Sequence, residues 1–235
     1  MAKASDFEDH CWQDIMPKDL LELYDGYQRE TKVGPSPALL LVDLYKLVYL
    51  GGNKPVPSLF RQYPLSCGEY AWNAVEPTKR LISAARAADV PIIYLTRHLN
   101  TNGIISVKRS VPLKLPIDAY EIFPDFAPQE RDLVIYKERA SGFFGTPLVA
   151  HLQMMGIKSL VVCGESTSGC VRHTVLDAYA HGFQVTIAEE CTFDRNPLLH
   201  KVNLFDMHHK YADVMHVSEI VDHFIAHDAL PRSVA

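Results

Sequence analysis

The sequence predicts an α/β protein, a three-layer α-β-α sandwich around a mostly parallel sheet of six strands, and three observations carry that expectation. Short apolar runs rich in Val, Ile and Leu alternate along the chain with stretches of helical period. The runs are continuous rather than alternating in polarity, as parallel strands covered on both faces must be. Several of them stop at a charged residue or at a cluster of small residues, which gathers chemistry at one edge of the sheet. A length of 235 residues suits a single domain, 1–235, with a large core.

Residues 1–36 precede the first strand and are expected to form an extension with one helix, from about Pro17 to Arg29. Leu20, Leu21, Leu23, Tyr24 and Tyr27 supply its apolar face, which has to cover a sheet edge or a partner subunit. Pro37 to Asp43 is the first strand, an apolar run that delivers a carboxylate to the sheet edge. Gly51 and Gly52 open a Pro-rich loop to about Tyr63, Glu76 to Ala88 reads as a helix, and Val90 to Thr96 is the second strand. From 98 to 131 no period emerges, and a loop of that length inside a compact domain is expected to be a lid or a binding loop.

Asp132 to Lys137 is the third strand and again ends in a charge. A helix follows from Gly145 to Met155, then a fourth strand from Ser159 to Cys163. The small residues after it form a tight turn, and Val171, Val175 and Ala178 carry the period of the next helix. Phe183 to Ala188 is the fifth strand, Glu190 to Arg195 a loop, Leu198 to Met207 a helix and Ala212 to Val217 the sixth strand, with Ser218 capping a last helix.

Composition narrows the function. With 48% hydrophobic and 22% charged residues, a net charge of −5 and no Lys/Arg block, nucleic acid is not an expected partner. The longest apolar run, 38–50, is interrupted by Asp43 and Lys46 and is too short to span a bilayer. The first ten residues hold no apolar signal region, so a cytoplasmic location is expected, with the cysteines at 11, 67, 163, 170 and 191 as reduced thiols. No Cys-x-x-Cys occurs, so neither a zinc cluster nor a disulfide framework is indicated.

Cys170 sits at the mouth of the fourth strand, at the start of a helix, where free N–H groups favour a thiolate and can cradle an oxyanion. Asp43 and Lys137 end two other strands and can converge on it. A thiol needs a nearby cation or base to become a nucleophile. Lys137 can hold the thiolate, while Asp43 can take the thiol proton and pass it to a leaving amine. The reaction class is acyl transfer to water through a thioester.

Three stretches then carry a family resemblance: Ala38 to Asp43, then Tyr136-Lys137 with Ser141 to Leu148, then Gly164-Glu165-Ser166-Thr167-Ser168-Gly169-Cys170-Val171-Arg172 with Thr174. Together they resemble the cysteine hydrolases of the isochorismatase-like superfamily, whose fold is Rossmann-like. Asp43-Leu44-Tyr45 with the Gly51-Gly52 loop, and Glu190-Cys191 through Asp194-Arg195 with His200, are similar to N-carbamoylsarcosine amidohydrolase and its relatives. The resemblance implies a parallel six-stranded sheet between helices, a homo-oligomer such as a tetramer, and the triad Asp43, Lys137 and Cys170. It also implies a cis peptide at Glu165-Ser166 and an oxyanion hole made by the backbone N–H groups of Ser166 and Cys170. Arg195 corresponds to an arginine that holds a substrate carboxylate, and Thr167 and Tyr45 are placed beside it as pocket residues.

No metal and no other cofactor is expected, because residues 51–71 contain no His or Asp to match the metal ligands of nicotinamidases. Arg172 is read as structural, and His173, His208 and His209 as surface or packed histidines without a role. The activity implied is cleavage of a carbon–nitrogen bond in a small amide or N-carbamoyl (ureido) compound, with a carboxylate-bearing substrate favoured by Arg195 and ammonia released. The alternatives are a biuret-type hydrolase of neutral ureides, an isochorismatase-type ether hydrolase, and a non-catalytic binding protein. A thiol-redox protein would need Cys163 or Cys191 close to Cys170.

Overall fold

A computed structural model of the chain describes residues 7–99 and 114–228. Six strands form one sheet: β1 (Pro37–Val42), β2 (Ile92–Thr96), β3 (Leu133–Tyr136), β4 (Ser159–Gly164), β5 (Gln184–Thr192) and β6 (Asp213–Met215). Every pairing is parallel and the order is β3-β2-β1-β4-β5-β6. The chain runs outward from β1 to β3, returns to β4 and runs outward the other way. The topological switch point therefore lies between β1 and β4, where the carboxyl ends of adjacent strands open a crevice.

Alternate residues of β1 feed two cores, as the pleat requires. Leu39 and Leu41 join Val161 and Cys163 against the helices α3 (Gly68–Asn73), α4 (Val75–Ala87) and α8 (Val217–Asp228). Ala38, Leu40 and Val42 join Leu160 and Val162 against α5 (Leu148–Met154), α6 (Arg172–Ala180) and α7 (Pro197–Lys210). The three-layer expectation is met.

Differences from the expectation fall where polar residues hide an element. The 51–63 loop contains a short helix, α2 (Val56–Leu59), and α3 follows it. β3 stops at Tyr136, so Lys137 lies just beyond the strand. β5 continues past Ala188 through Glu189, Glu190 and Cys191 to Thr192, because the Glu189 carboxylate is buried and tied to His10 Nδ1 at 2.5 Å and to the Cys11 N–H at 2.7 Å. Ser218 is inside α8 rather than its cap; Glu219 accepts the His216 N–H at 2.8 Å instead.

The N-terminal helix is short. α1 spans Lys18–Leu23, with a 3-10 turn at Asp25–Tyr27 after it, and Leu23 is 77% exposed. The extension is anchored instead by Phe7 and Trp12, both buried, with Trp12 packed against Phe205 and His208 of α7. Arg29 pairs with Asp213 of β6 at 2.7 Å, so the extension lies along the β6 side of its own sheet. Of the expected 98–131 loop, residues 100–113 lie outside the described residues. The part after them folds back on β1's exit: Lys46 N–H donates to Glu121 O, and Phe123 N–H to Leu44 O, both at 2.9 Å.

Candidate active site

Three strand exits meet at the switch point. Asp43, the first residue after β1, has a left-handed backbone with φ of 54°, and its N–H donates to Leu95 O at 3.0 Å. That turn swings the carboxylate off the strand line and under the sheet edge, where Asp43 is 1% exposed. Lys137 follows β3, two strands from β1, a separation of roughly 9–10 Å at the usual strand spacing. Only a long side chain crosses that distance, and Lys137 Nζ reaches Asp43 Oδ2 at 2.8 Å with both side chains 1% exposed. Burial opposes the ammonium charge, but Asp43 and Cys170 more than offset it and hold Lys137 above the ordinary lysine range. The other Asp43 oxygen, Oδ1, is buried without a hydrogen-bond partner among the described residues.

Cys170 stands in a tight turn, Thr167–Val171, wound between β4 and α6. Gly164 ends β4 with φ of 116°, and a Cβ there would lie 2.0 Å from Val42 O, so only glycine fits against β1. A cis peptide joins Glu165 to Ser166. Gly169 is non-helical at φ −118°, ψ −106°, and a Cβ on it would come 2.6 Å from Ser166 Oγ. Ser166 O receives the N–H groups of Gly169 and Val171, whereas the Ser166 N–H donates to nothing among the described residues. Burial, then the Asp43 carboxylate, push the Cys170 thiol well above its ordinary range, and Lys137 pulls the other way.

The pocket residues divide. Tyr45 is buried and its hydroxyl donates to Glu165 Oε1 at 3.3 Å; burial and the charges of Asp43, Glu165 and Cys170 raise its pKa. Thr167 is fully buried and its hydroxyl is bonded to His200 Nδ1 at 2.7 Å. Arg195 is exposed at the rim, with Nη1 on Pro64 O at 2.9 Å and its charge felt at Glu165.

The family model for the isochorismatase domain matches residues 37–219, most of the chain. The chain belongs to the isochorismatase family. It is an enzyme of that family, a hydrolase of carbon–nitrogen bonds. It is 34% identical to N-carbamoylsarcosine amidase of Arthrobacter sp over 217 residues, covering 88% of this chain and 77% of that one. It is 32% identical to maleamate amidohydrolase of Pseudomonas putida over 204 residues, 81% and 90% of the two chains. The solved N-carbamoylsarcosine amidase of Thermoplasma acidophilum superposes with a TM-score of 0.59 at 25% identity, covering 78% of this chain and 97% of that one. A cysteine hydrolase from Pseudomonas syringae pv. phaseolicola superposes at 0.70 with 20% identity over 85% of this chain and 99% of that one, a likeness of fold.

Within this isochorismatase-family frame, two site residues escape the sequence reading. Asp194 is buried, and its Oδ2 accepts both the N–H (2.9 Å) and the hydroxyl (2.6 Å) of Ser168, so it clamps the turn that carries Cys170. Its Oδ1 accepts the Arg195 N–H rather than pairing with that guanidinium. Glu165 is the second, a carboxyl on which Asp43, Lys137 and Asp194 all act; the stretch gives no signal for it beyond its place in the turn. Arg172 reaches Asn203 and Asp206, bonds that tie α6 to α7.

Cys163 and Cys191 are buried in the core on one side of the sheet, whereas Cys170 borders the core on the other. Among the described residues, His10, Glu189 and His216 bring potential metal-ligand atoms within 4.8 Å of one another. Those atoms are paired already: His10 with Glu189, and His216 with Glu190 at 2.9 Å and with Asp9 O at 2.8 Å. The cluster fastens the extension to β5. No helix among the described residues is long and apolar enough to cross a membrane.

Proposed function

We propose that this hydrolase cleaves the carbon–nitrogen bond of a small amide or N-carbamoyl compound through a Cys170 thioester and releases ammonia. The observation that carries the reading is the buried Lys137–Asp43 pair at 2.8 Å, with Asp43 Oδ1 unpartnered and both charges acting on the Cys170 thiol. The raised thiol pKa makes a thiol, rather than a standing thiolate, the resting form. Asp43 then acts as the general base at the moment of attack, with the Lys137 ammonium bonded to its Oδ2.

Cys170 Sγ bonds to the carbonyl carbon while its proton passes to Asp43. The oxyanion is held by the N–H groups of Ser166 and Cys170. Collapse breaks the carbon–nitrogen bond, and the departing nitrogen takes the proton from Asp43. Water, deprotonated by Asp43, then attacks the thioester and restores the thiol. An amide yields a carboxylic acid; an N-carbamoyl compound yields a carbamate. Each step uses only these side chains, the turn and water.

Arg195, at the rim, is the residue we assign to a substrate carboxylate, and Tyr45 lines the approach. Support comes from the 34% and 32% identical relatives, named for an N-carbamoyl compound and for maleamate. The test is ammonia release from N-carbamoyl amino acids, maleamate, ureidoacrylate and biuret, with and without prior alkylation by iodoacetamide. Alkylation-sensitive release from a carboxylated member is the expected result; release that survives alkylation, or none from any member, overturns the reading.

A further inference from the structure

Glu165 is a partly buried ionisable group that the steps above do not use. Its backbone is fixed: the N–H donates to Val42 O at 2.9 Å, Gly164 before it is jammed against β1, and Ser166 after it belongs to the nucleophile turn. The carboxyl has one partner, the Tyr45 hydroxyl at 3.3 Å on Oε1. Oε2 has none among the described residues, yet the residue keeps a partly open face and Oε2 is not among the sealed-off atoms. No cation is paired with it among the described residues. The groups that act on it or feel its charge are Asp43 and Lys137 from the proposed catalytic pair, the Cys170 thiol, Asp194 beneath the turn, Tyr45 and Tyr49 from β1's exit, Cys67, and Arg195 from the rim. Burial first, then Asp43 and Asp194, push its carboxyl up to about 8, against the pull of Arg195 and Lys137.

The Lys137–Asp43 pair, where the carbonyl would react, and Arg195, where a substrate carboxylate would sit, both act on the Glu165 carboxyl, and its one side-chain partner, Tyr45, lines the proposed approach. A substrate that spans the two ends would pass Glu165. An acceptor that bound substrate cuts off from water is costly beside a C–H group and is satisfied by an N–H. Resting on the amidohydrolase reading, we propose that Glu165 accepts a hydrogen bond from the non-reacting N–H of the substrate, so that the site prefers ureido compounds to plain amides of the same shape.

The pair that isolates this atom is N-carbamoylglycine and succinamate, which differ by N–H against CH₂ at the middle position and share the scissile group and the carboxylate. The readout is the ratio of kcat/KM for the two, which cancels effects common to both. Glu165→Ala is expected to lower the ratio at least tenfold, and Glu165→Gln, which keeps an acceptor oxygen, to hold it within about threefold of the wild type at pH 7. In the wild type the ratio is expected to rise between pH 7 and pH 9, because an ionised carboxylate is the stronger acceptor, and in Glu165→Gln that rise disappears.

An unchanged ratio in Glu165→Ala overturns the assignment while wild-type ammonia release leaves the amidohydrolase reading in place. Should Glu165→Ala fail to fold, the pH series decides, and a rise that persists in Glu165→Gln overturns the assignment. A wild type that releases ammonia from neither compound, nor from the wider panel, removes the amidohydrolase reading and the Glu165 role with it.

Discussion

Replacing Lys137 with methionine keeps an unbranched side chain one atom shorter and removes its charge, which largely separates the ion pair from packing. Lys137 and Asp43 are each 1% exposed and 2.8 Å apart, so the variant leaves a carboxylate in a site built around a cation. Breaking a buried pair by removing one partner costs about 3–5 kcal/mol. For a domain of this size that corresponds to a fall in Tm of roughly 6–20 °C.

Urea denaturation followed by circular dichroism, run on the wild type, Lys137→Met, Asp43→Asn and the double variant, gives the coupling directly. The double variant should be more stable than Lys137→Met, because the uncompensated charge is gone. Additive single costs, or a Lys137→Met penalty below about 1 kcal/mol, would show that the two groups do not form a buried pair. In the same variant Cys170 should alkylate more slowly near neutral pH, since Lys137 is the group that draws its pKa down.

Two further outcomes are expected. Cys170→Ala should abolish ammonia release with an unchanged Tm, since a small residue is tolerated in the partly exposed turn position; turnover above roughly one part in a hundred of wild type would remove Cys170 as the nucleophile. His208 is fully buried among Phe7, Trp12 and His10, its Nδ1 accepts the Val214 N–H at 3.0 Å, and burial holds its pKa down to about 2. Its folded pKa is depressed below the unfolded 6.5, so its contribution is complete above pH 6.5 and is lost as pH falls, by up to about 1.4 kcal/mol per unit. The stability of wild type and His208→Asn measured from pH 7 to pH 5 should diverge in slope; parallel profiles would count against this.

The sheet was legible because strands buried on both faces have no choice but to be apolar throughout. Leu39 to Val42, Ile92 to Leu95 and Leu160 to Cys163 carry that mark in sequence alone. The charged residues that follow such runs stood out for the same reason, which made Asp43 and Lys137 visible. The anchoring of the extension was not legible: Trp12 and Phe7 are single aromatics in a polar stretch, while Leu23 and Tyr27 have helical spacing and are 77% and 47% exposed. Periodicity reports only that a face is apolar; what covers the face is decided elsewhere in the chain. In the sequence Glu165 is one position of a turn, since its significance lies in a carboxyl oxygen left without a partner and in the two other carboxylates that act on it. No local pattern encodes that.

The hidden half of β5 joins these two problems. Glu189 to Thr192 looks like a loop because it is polar, and it is a strand because Glu189 has partners in His10 and the Cys11 N–H of the extension. The pairing of β4 with β5 shifts register between Val162 and Gly164, so that Gly164 meets Thr192. The next residue, Phe193, then closes the turn that carries Cys170 from both sides, donating its N–H to Gly164 O at 3.1 Å and accepting the Thr167 N–H at 3.0 Å. Asp194 follows at once and takes Ser168. The polar stretch that obscures the strand thus leads straight into the residues that hold Cys170 in place: Glu189 ties it to the extension, and the Phe193 backbone and the Asp194 carboxylate, four and five residues later, fix the turn.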